Sequence, residues 1–322
     1  ARSALGTMAT AALLSESRWD KPLLRCLLAN LRTTGPSGFR SGRLSEAGLQ
    51  EKGWRHYWED DRTNIAPHYE CWLWACFLWA YDRSGFQPFL ERPLKAIRTT
   101  MDAYPDGWLW TNGFQQERAR MLLPLSWLVR IDDTPEHRGW LRAIAADLLA
   151  YQDDCGAIRE ALGSSDHGRY GAPKSNAEYG TNEAPLIQEN GDPLCDLLYT
   201  TNFAFFGLHE AAAATGDPYY GEAEARLADF LCRIQVVSET RPELDGAWFR
   251  AFDFRRWDYW ASNADSGWGA WSIESGWTQG WITSVLSMRQ MGESFWEVTR
   301  ETNIREHLDA LVAQMLPDFS SR

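Results

Sequence analysis

Six tryptophans fall between residues 257 and 281, at Trp257, Trp260, Trp268, Trp271, Trp277 and Trp281, with Asp258, Asp265 and Glu274 set among them. An indole gives the largest flat apolar face of any side chain plus one N–H donor. A pyranose ring offers a matching patch of C–H bonds with hydroxyls around its edge. Carboxylates beside such rings are the usual acid and base of glycosidic bond chemistry. Core filler would not alternate so regularly with Gly, Ser, Asp and Glu, so the strip reads as a sugar-binding cleft. Trp260, Trp268 and Trp277 serve as its stacking faces, and Asp265 as a partner for sugar hydroxyls.

Cleaving a glycosidic bond takes one carboxyl group kept protonated near neutral pH and a second carboxylate as base or nucleophile. Apolar walls and neighbouring charges push the two pKa values apart. Four acids are the expected catalytic candidates: Glu117, after TNGFQQ and beside Arg118 and Arg120; Glu183, between YGTN and the apolar APLI; Asp196, at the head of an apolar run; and Glu274, near Trp277. Glu160, Glu178 and Asp192 share the long connection that holds Glu183 and Asp196, and the latter two are preferred. Each has a plainer reading: an ion pair for Glu117, a helix cap for Asp196 and Glu274. The planar fork of an arginine grips a carboxylate bidentately, so Arg118 and Arg159, with Arg120 and Arg250, are candidates for holding a uronate. His68 and Tyr179 are placed to bind substrate, and with Tyr199 they would also suit proton abstraction in a lyase.

Other chemistries lose support. The RIDDTPE stretch at 130–136 matches a diphosphate-binding DDxxE pattern, but Asp132 and Asp133 precede Pro135 in a short turn and read as helix-capping acids. There is no P-loop, G-x-G-x-x-G, HExxH or G-x-S-x-G string. The six cysteines are scattered without a CxxC pair and look like reduced core residues, so neither a metal nor a cofactor is expected. A net charge of −12 with basic residues scattered singly argues against nucleic acid. The longest apolar run, 71–81, is far short of the roughly 20 residues that cross a bilayer, and no leader is read at the start of the stretch.

The elements that must position these groups alternate in kind. Segments 66–82, 114–131, 196–215 and 273–291 are apolar nearly all round and read as buried inner helices. Segments 86–101, 135–151, 218–236 and 293–315 follow after short turns, with apolar residues at helical spacing on one face only. An outer-type helix is expected over 8–31. The fold class is therefore all-α: helical hairpins side by side in an (α/α) toroid, four hairpins plus the opening helix, short of a six-hairpin ring. No linker divides residues 1–322, which read as a single domain. The long connections 35–65, 103–113, 153–195 and 238–272 gather at the N-terminal ends of the inner helices, where the site is expected.

With WTNGFQQERAR (110–120), GAIREALG (156–163), EYGTNEAPLIQENGDPLCDLLYTTN (178–202) and DYWASNADSGWGAWSIESGWTQ (258–279) on those connections, the chain resembles the α/α-toroid glycoside hydrolases and their lyase relatives. The uronic-acid-active group, which includes unsaturated glucuronyl hydrolases and bacterial β-glucuronidases, is the nearest in character. The resemblance is architectural. It implies carboxylates at the inner-helix N-termini acting on an acidic oligosaccharide without a cofactor. The alternatives are a polysaccharide lyase on the same scaffold and a non-catalytic carbohydrate-binding scaffold.

Overall fold

The computed structural model describes residues 2–40, 44–169, 185–187, 189–260 and 278–317. Helix makes up 62% of it, with one small sheet, so the class is all-α as expected. The helices are α1 (Arg2–Leu13), α2 (Asp20–Leu31), α3 (Glu46–Trp58), α4 (Pro67–Ser84), α5 (Pro88–Asp102), α6 (Phe114–Ile131), α7 (Pro135–Leu149), α8 (Asn202–Thr215), α9 (Pro218–Arg233), α10 (Thr278–Met291), α11 (Phe295–Val298) and α12 (Leu308–Met315). No helix among the described residues is long and apolar enough to cross a membrane.

Helix α4 shows why the inner helices form where they do. Pro67 occupies its first turn, where the missing N–H costs nothing, and Gly85 ends it in the left-handed conformation at φ 68°. Between them every residue from Cys71 to Ala80 is buried, so the helix is enclosed by protein on all sides. Helix α5 instead buries one stripe, including Phe89, Pro93, Ala96 and Ile97, against α4. The same pairing joins α7 to α6 and α9 to α8, while α6 packs between α4 and α8, and α8 between α6 and α10. Trp72 of α4 meets Phe203 of α8 and Trp281 of α10 edge to face, at 4.7 and 4.9 Å between centroids, which ties three inner helices together.

The turns work through local capping. Thr134 accepts the His137 N–H at the head of α7, Asp217 accepts that of Tyr219 at α9, and Ser294 and Glu297 form a capping box at α11. At α7 this corrects the expectation for Asp132 and Asp133: Thr134 is the cap, and Asp133 forms a forked ion pair with Arg138.

Five other expectations change. The opening helix is two, α1 and α2, broken by a turn at Ser15 and a short 3-10 segment, and Leu5 and Met8 of α1 are fully buried. A further helical hairpin therefore precedes α4. The connection 35–65 contains α3, and the helix expected over 293–315 is broken into α11, a 3-10 turn and α12. The segment before α8 begins as strand β1 (Leu194–Asp196), passes through a π turn at Leu197–Thr201, and only then becomes α-helical. Strand β1 pairs antiparallel with β2 (Ala251–Asp253), which pairs with β3 (Asp258–Tyr259); Asp196 stands opposite Ala251. Lastly, all six cysteines are free, but only Cys71, Cys76 and Cys195 are buried.

Candidate active site

The N-terminal ends of α4, α6 and α8 converge on a buried polar cluster. On α6, Glu117 is completely enclosed. Its Oε1 accepts the backbone N–H of Thr111 at 3.1 Å and lies 3.4 Å from Nδ1 of His68, which opens α4. Its Oε2 has no hydrogen-bond partner among the described residues. Burial pushes the carboxyl up to about 8, against the opposing pull of the Arg120 charge and of backbone N–H groups from Thr111 and His68. Gln116, with its amide turned to satisfy both ends, donates to His68 Nδ1 at 3.3 Å and accepts from the N–H groups of Asn112 and Gly113. One turn on, Arg120 donates to the His68 carbonyl, and its guanidinium lies 4.3 Å from the centre of the Phe203 ring.

A second carboxyl enters from the other side of the Thr111–Gly113 turn. The extended segment around residues 158–161 is held on both edges: the Arg159 N–H donates to the Tyr151 carbonyl, and the Glu160 N–H to that of Leu194 in β1. Alternation along this segment aims Ile158 and Glu160 inward and Arg159 outward. Glu160 is 2% exposed and accepts from Thr200 Oγ1 at 2.6 Å and from the Ala161 N–H. Burial, and then the neighbouring Asp196, push it up to about 8. A Cβ at position 113 would sit 2.6 Å from Glu160 Oε1, so any side chain there would have to displace this carboxyl from the start of α6.

Asp196 completes the cluster from the end of β1. Its Oδ1 accepts the N–H groups of Leu198 and Tyr199, both at 2.8 Å, which caps the π turn. Its Oδ2 lies 3.4 Å from Nη2 of Arg250, an equally buried guanidinium delivered by the strand register one residue before β2. The Tyr199 ring lies between the two arginines, 5.1 Å from Arg250 and 6.0 Å from Arg120. A third sealed acid, Glu70 on α4, is raised to about 7 by burial despite the charge of Arg40.

The structure thus brings Glu117, Asp196 and His68 into one cluster. It does not bring Arg118 or Arg159 there. Arg118 turns the other way, donating to Tyr104 Oη and Gln115 Oε1 with Asp147 at 3.8 Å, and Arg159 rests on Tyr151 on the outside of the wall. Trp260 donates its backbone N–H to Ala251 and packs on a small apolar cluster with Leu186, Ile187 and Leu194. Glu183, Glu274, Tyr179, Asp265, Trp268, Trp277 and Trp271 lie outside the described residues. Trp281 belongs to the inner-helix core, and Trp257 lies edge-on to Phe230 and Phe252. Glu160 was ranked below its loop neighbours by sequence reasoning, although Ile158 two residues earlier marks the face it shares. Among the described residues no group of His, Cys, Asp and Glu could hold a metal ion. No family model, no curated protein and no solved structure matches this chain.

Proposed function

We propose that this chain is a glycoside hydrolase that cleaves an acidic oligosaccharide by carboxylate acid/base catalysis, on an incomplete (α/α) toroid of helical hairpins. The packing of each inner helix on the next, with an outer helix behind it, supports the toroid. One observation carries the function. Glu117 and Glu160 flank a single turn at the head of an inner helix, both sealed from water, and that burial pushes both carboxyls up. Glu117 is assigned as general acid, because its Oε2 has no hydrogen-bond partner among the described residues. The base is drawn from Glu183 and Glu274, because burial raises Glu160 as it raises Glu117. Asp196, with both oxygens engaged, is a positioning residue that fixes Arg250 and the Tyr199 turn. Arg120 and Arg250 take over the role first given to Arg118 and Arg159: they are the cationic groups nearest these acids and suit a uronate.

A panel of aryl glycosides and aryl glucuronides tests this directly. Wild type is expected to release the aryl group from a glucuronide. Glu117→Gln, with unchanged circular dichroism, is expected to lose about 10²- to 10⁴-fold in rate, the usual contribution of a positioned acid. No release from any member, or an unimpaired Glu117→Gln, rejects the assignment. A second reading is favoured by the complete satisfaction of Asp196: a carbohydrate-binding scaffold in which the acids form an internal polar knot. It requires sugar binding without turnover, and binding that survives Glu117→Gln.

A further inference from the structure

Arg159 is left over from that cluster, and its surroundings are those of a binding site. Tyr151, Asp153, Gly191, Phe254 and Arg255 surround it in an open cavity of about 410 Å³. The guanidinium sits 5.3 Å from the centre of the Tyr151 ring. It is half-buried, and no carboxylate among the described residues pairs with it, although Asp153 shares the cavity and pairs with Arg255 at 3.4 Å. A guanidinium braced on an aromatic face, partly shielded from water and with no protein acid opposite, is preorganised for an external planar anion. Tyr151 also lines a second cavity of about 670 Å³, and Asn190 and Gly191 carry the wall from one to the other. Both volumes fall in the range of about 300–1,000 Å³ typical of ligand sites. The second is edged by Ser164, Asp166, His167 and Asn190, groups that hydrogen-bond hydroxyls, and by Phe114, on which Arg118 stacks.

We propose that this outer face is a second, non-catalytic site, in which Arg159 on Tyr151 clamps the carboxylate of an acidic saccharide whose chain runs on past Tyr151 into the larger cavity. Two arginines and one aspartate leave the clamp with a single net positive charge, which suits a carboxylate better than a doubly charged phosphate. The chain as a whole carries −12, so general electrostatics repels a polyanion and any retention must come from a local clamp. The choice of an acidic saccharide rests on the hydrolase reading above; the clamp itself does not.

Affinity electrophoresis of the Glu117→Gln protein, which leaves the polymer uncut, tests the site in gels cast with polygalacturonate, neutral dextran or polyphosphate. Polygalacturonate is expected to slow the protein, and dextran and polyphosphate to leave it unchanged. Adding Arg159→Gln is expected to weaken the apparent affinity about tenfold, the worth of a charged hydrogen bond. Arg159→Lys, which keeps the charge and loses the fork, decides the matter if circular dichroism shows that the glutamine variant is misfolded: loss of retention supports the clamp, and full retention overturns it. The proposal is also overturned if polygalacturonate leaves the parent protein's mobility unchanged, if polyphosphate retains it equally, or if a folded Arg159→Gln variant is slowed as much as its parent. Retention through Arg159 by a protein without turnover keeps this site and removes the hydrolase; turnover without such retention does the reverse.

Discussion

At the scale of single side chains, Glu117, Glu160 and Glu70 share one physical situation, a carboxyl shut away from water and raised to about 8, about 8 and about 7 by that burial. Such a group titrates near 4.5 in the unfolded chain, so the folded state holds its proton more tightly. Its contribution to stability is complete below about 4.5 and is lost as the pH rises through the folded value. The thermal midpoint is therefore expected to fall between about pH 5 and about pH 9, and Glu160→Gln, which keeps the shape but cannot ionise, to make the descent shallower. A midpoint that stays level or climbs across that interval contradicts the burial of these protons. Catalysis by Glu117 has the same sign, since an acid is active only while protonated. The rate on an aryl glucuronide is expected to decline as pH passes about 8.

At the scale of elements, the close approach of α8 to α6 is set by one missing side chain. A Cβ on Gly207 of α8 would stand 2.5 Å from the Cβ of Leu122 on α6, and neither backbone can yield without moving a helix. Gly207→Ala is expected to cost about 1–3 kcal/mol in a urea titration, the usual penalty of overpacking, and a neutral result would mean that α6 and α8 are farther apart than described. The elements also explain what was legible beforehand. Helix α6 runs over the residues its apolar pattern marked, and α4, α7 and α9 lie within a few residues of theirs, because Pro in the first turn of α4, α7 and α9 and Gly85 after α4 carry local signals. Helix α3 was missed because only Tyr57 of it is buried and Gly53 interrupts it at φ 72°, so no apolar stripe forms. The α1–α2 break was missed because its left-handed residue is Ser15, with no glycine to announce it. Glu117, His68 and Asp196 were readable as acids and bases heading apolar runs. The Asp196–Arg250 pair was not, and the inward aim of Glu160 was marked only by Ile158, because both are fixed by strand neighbours more than 30 residues away in sequence, Ala251 and Leu194.

At the scale of the whole molecule, the inner helices carry polar hubs at both ends. Opposite the candidate site, His209 contacts Glu224 and the Glu293 carbonyl, Arg289 pairs with Glu224, and the sealed Glu210 accepts from Trp127 and the Phe295 N–H. These contacts lock α6, α8, α9, α10 and α11 together. Burial pushes His209 down, but its contacts with Glu224 and the Glu293 carbonyl push it up by more, so it is net raised. The fold is thus held by packing and these hubs, and no cysteine is cross-linked. The thermal midpoint is expected to be the same with and without a thiol reductant; a drop on reduction would reveal a bridge that the structure excludes.

The strand-like run that aims Arg159 outward and Glu160 inward has a further consequence. A residue inserted between Gln152 and Ile158 would either have to be absorbed in the tight turn at Gly156, held against the Arg226 carbonyl, or shift the run by one place and exchange the two side chains.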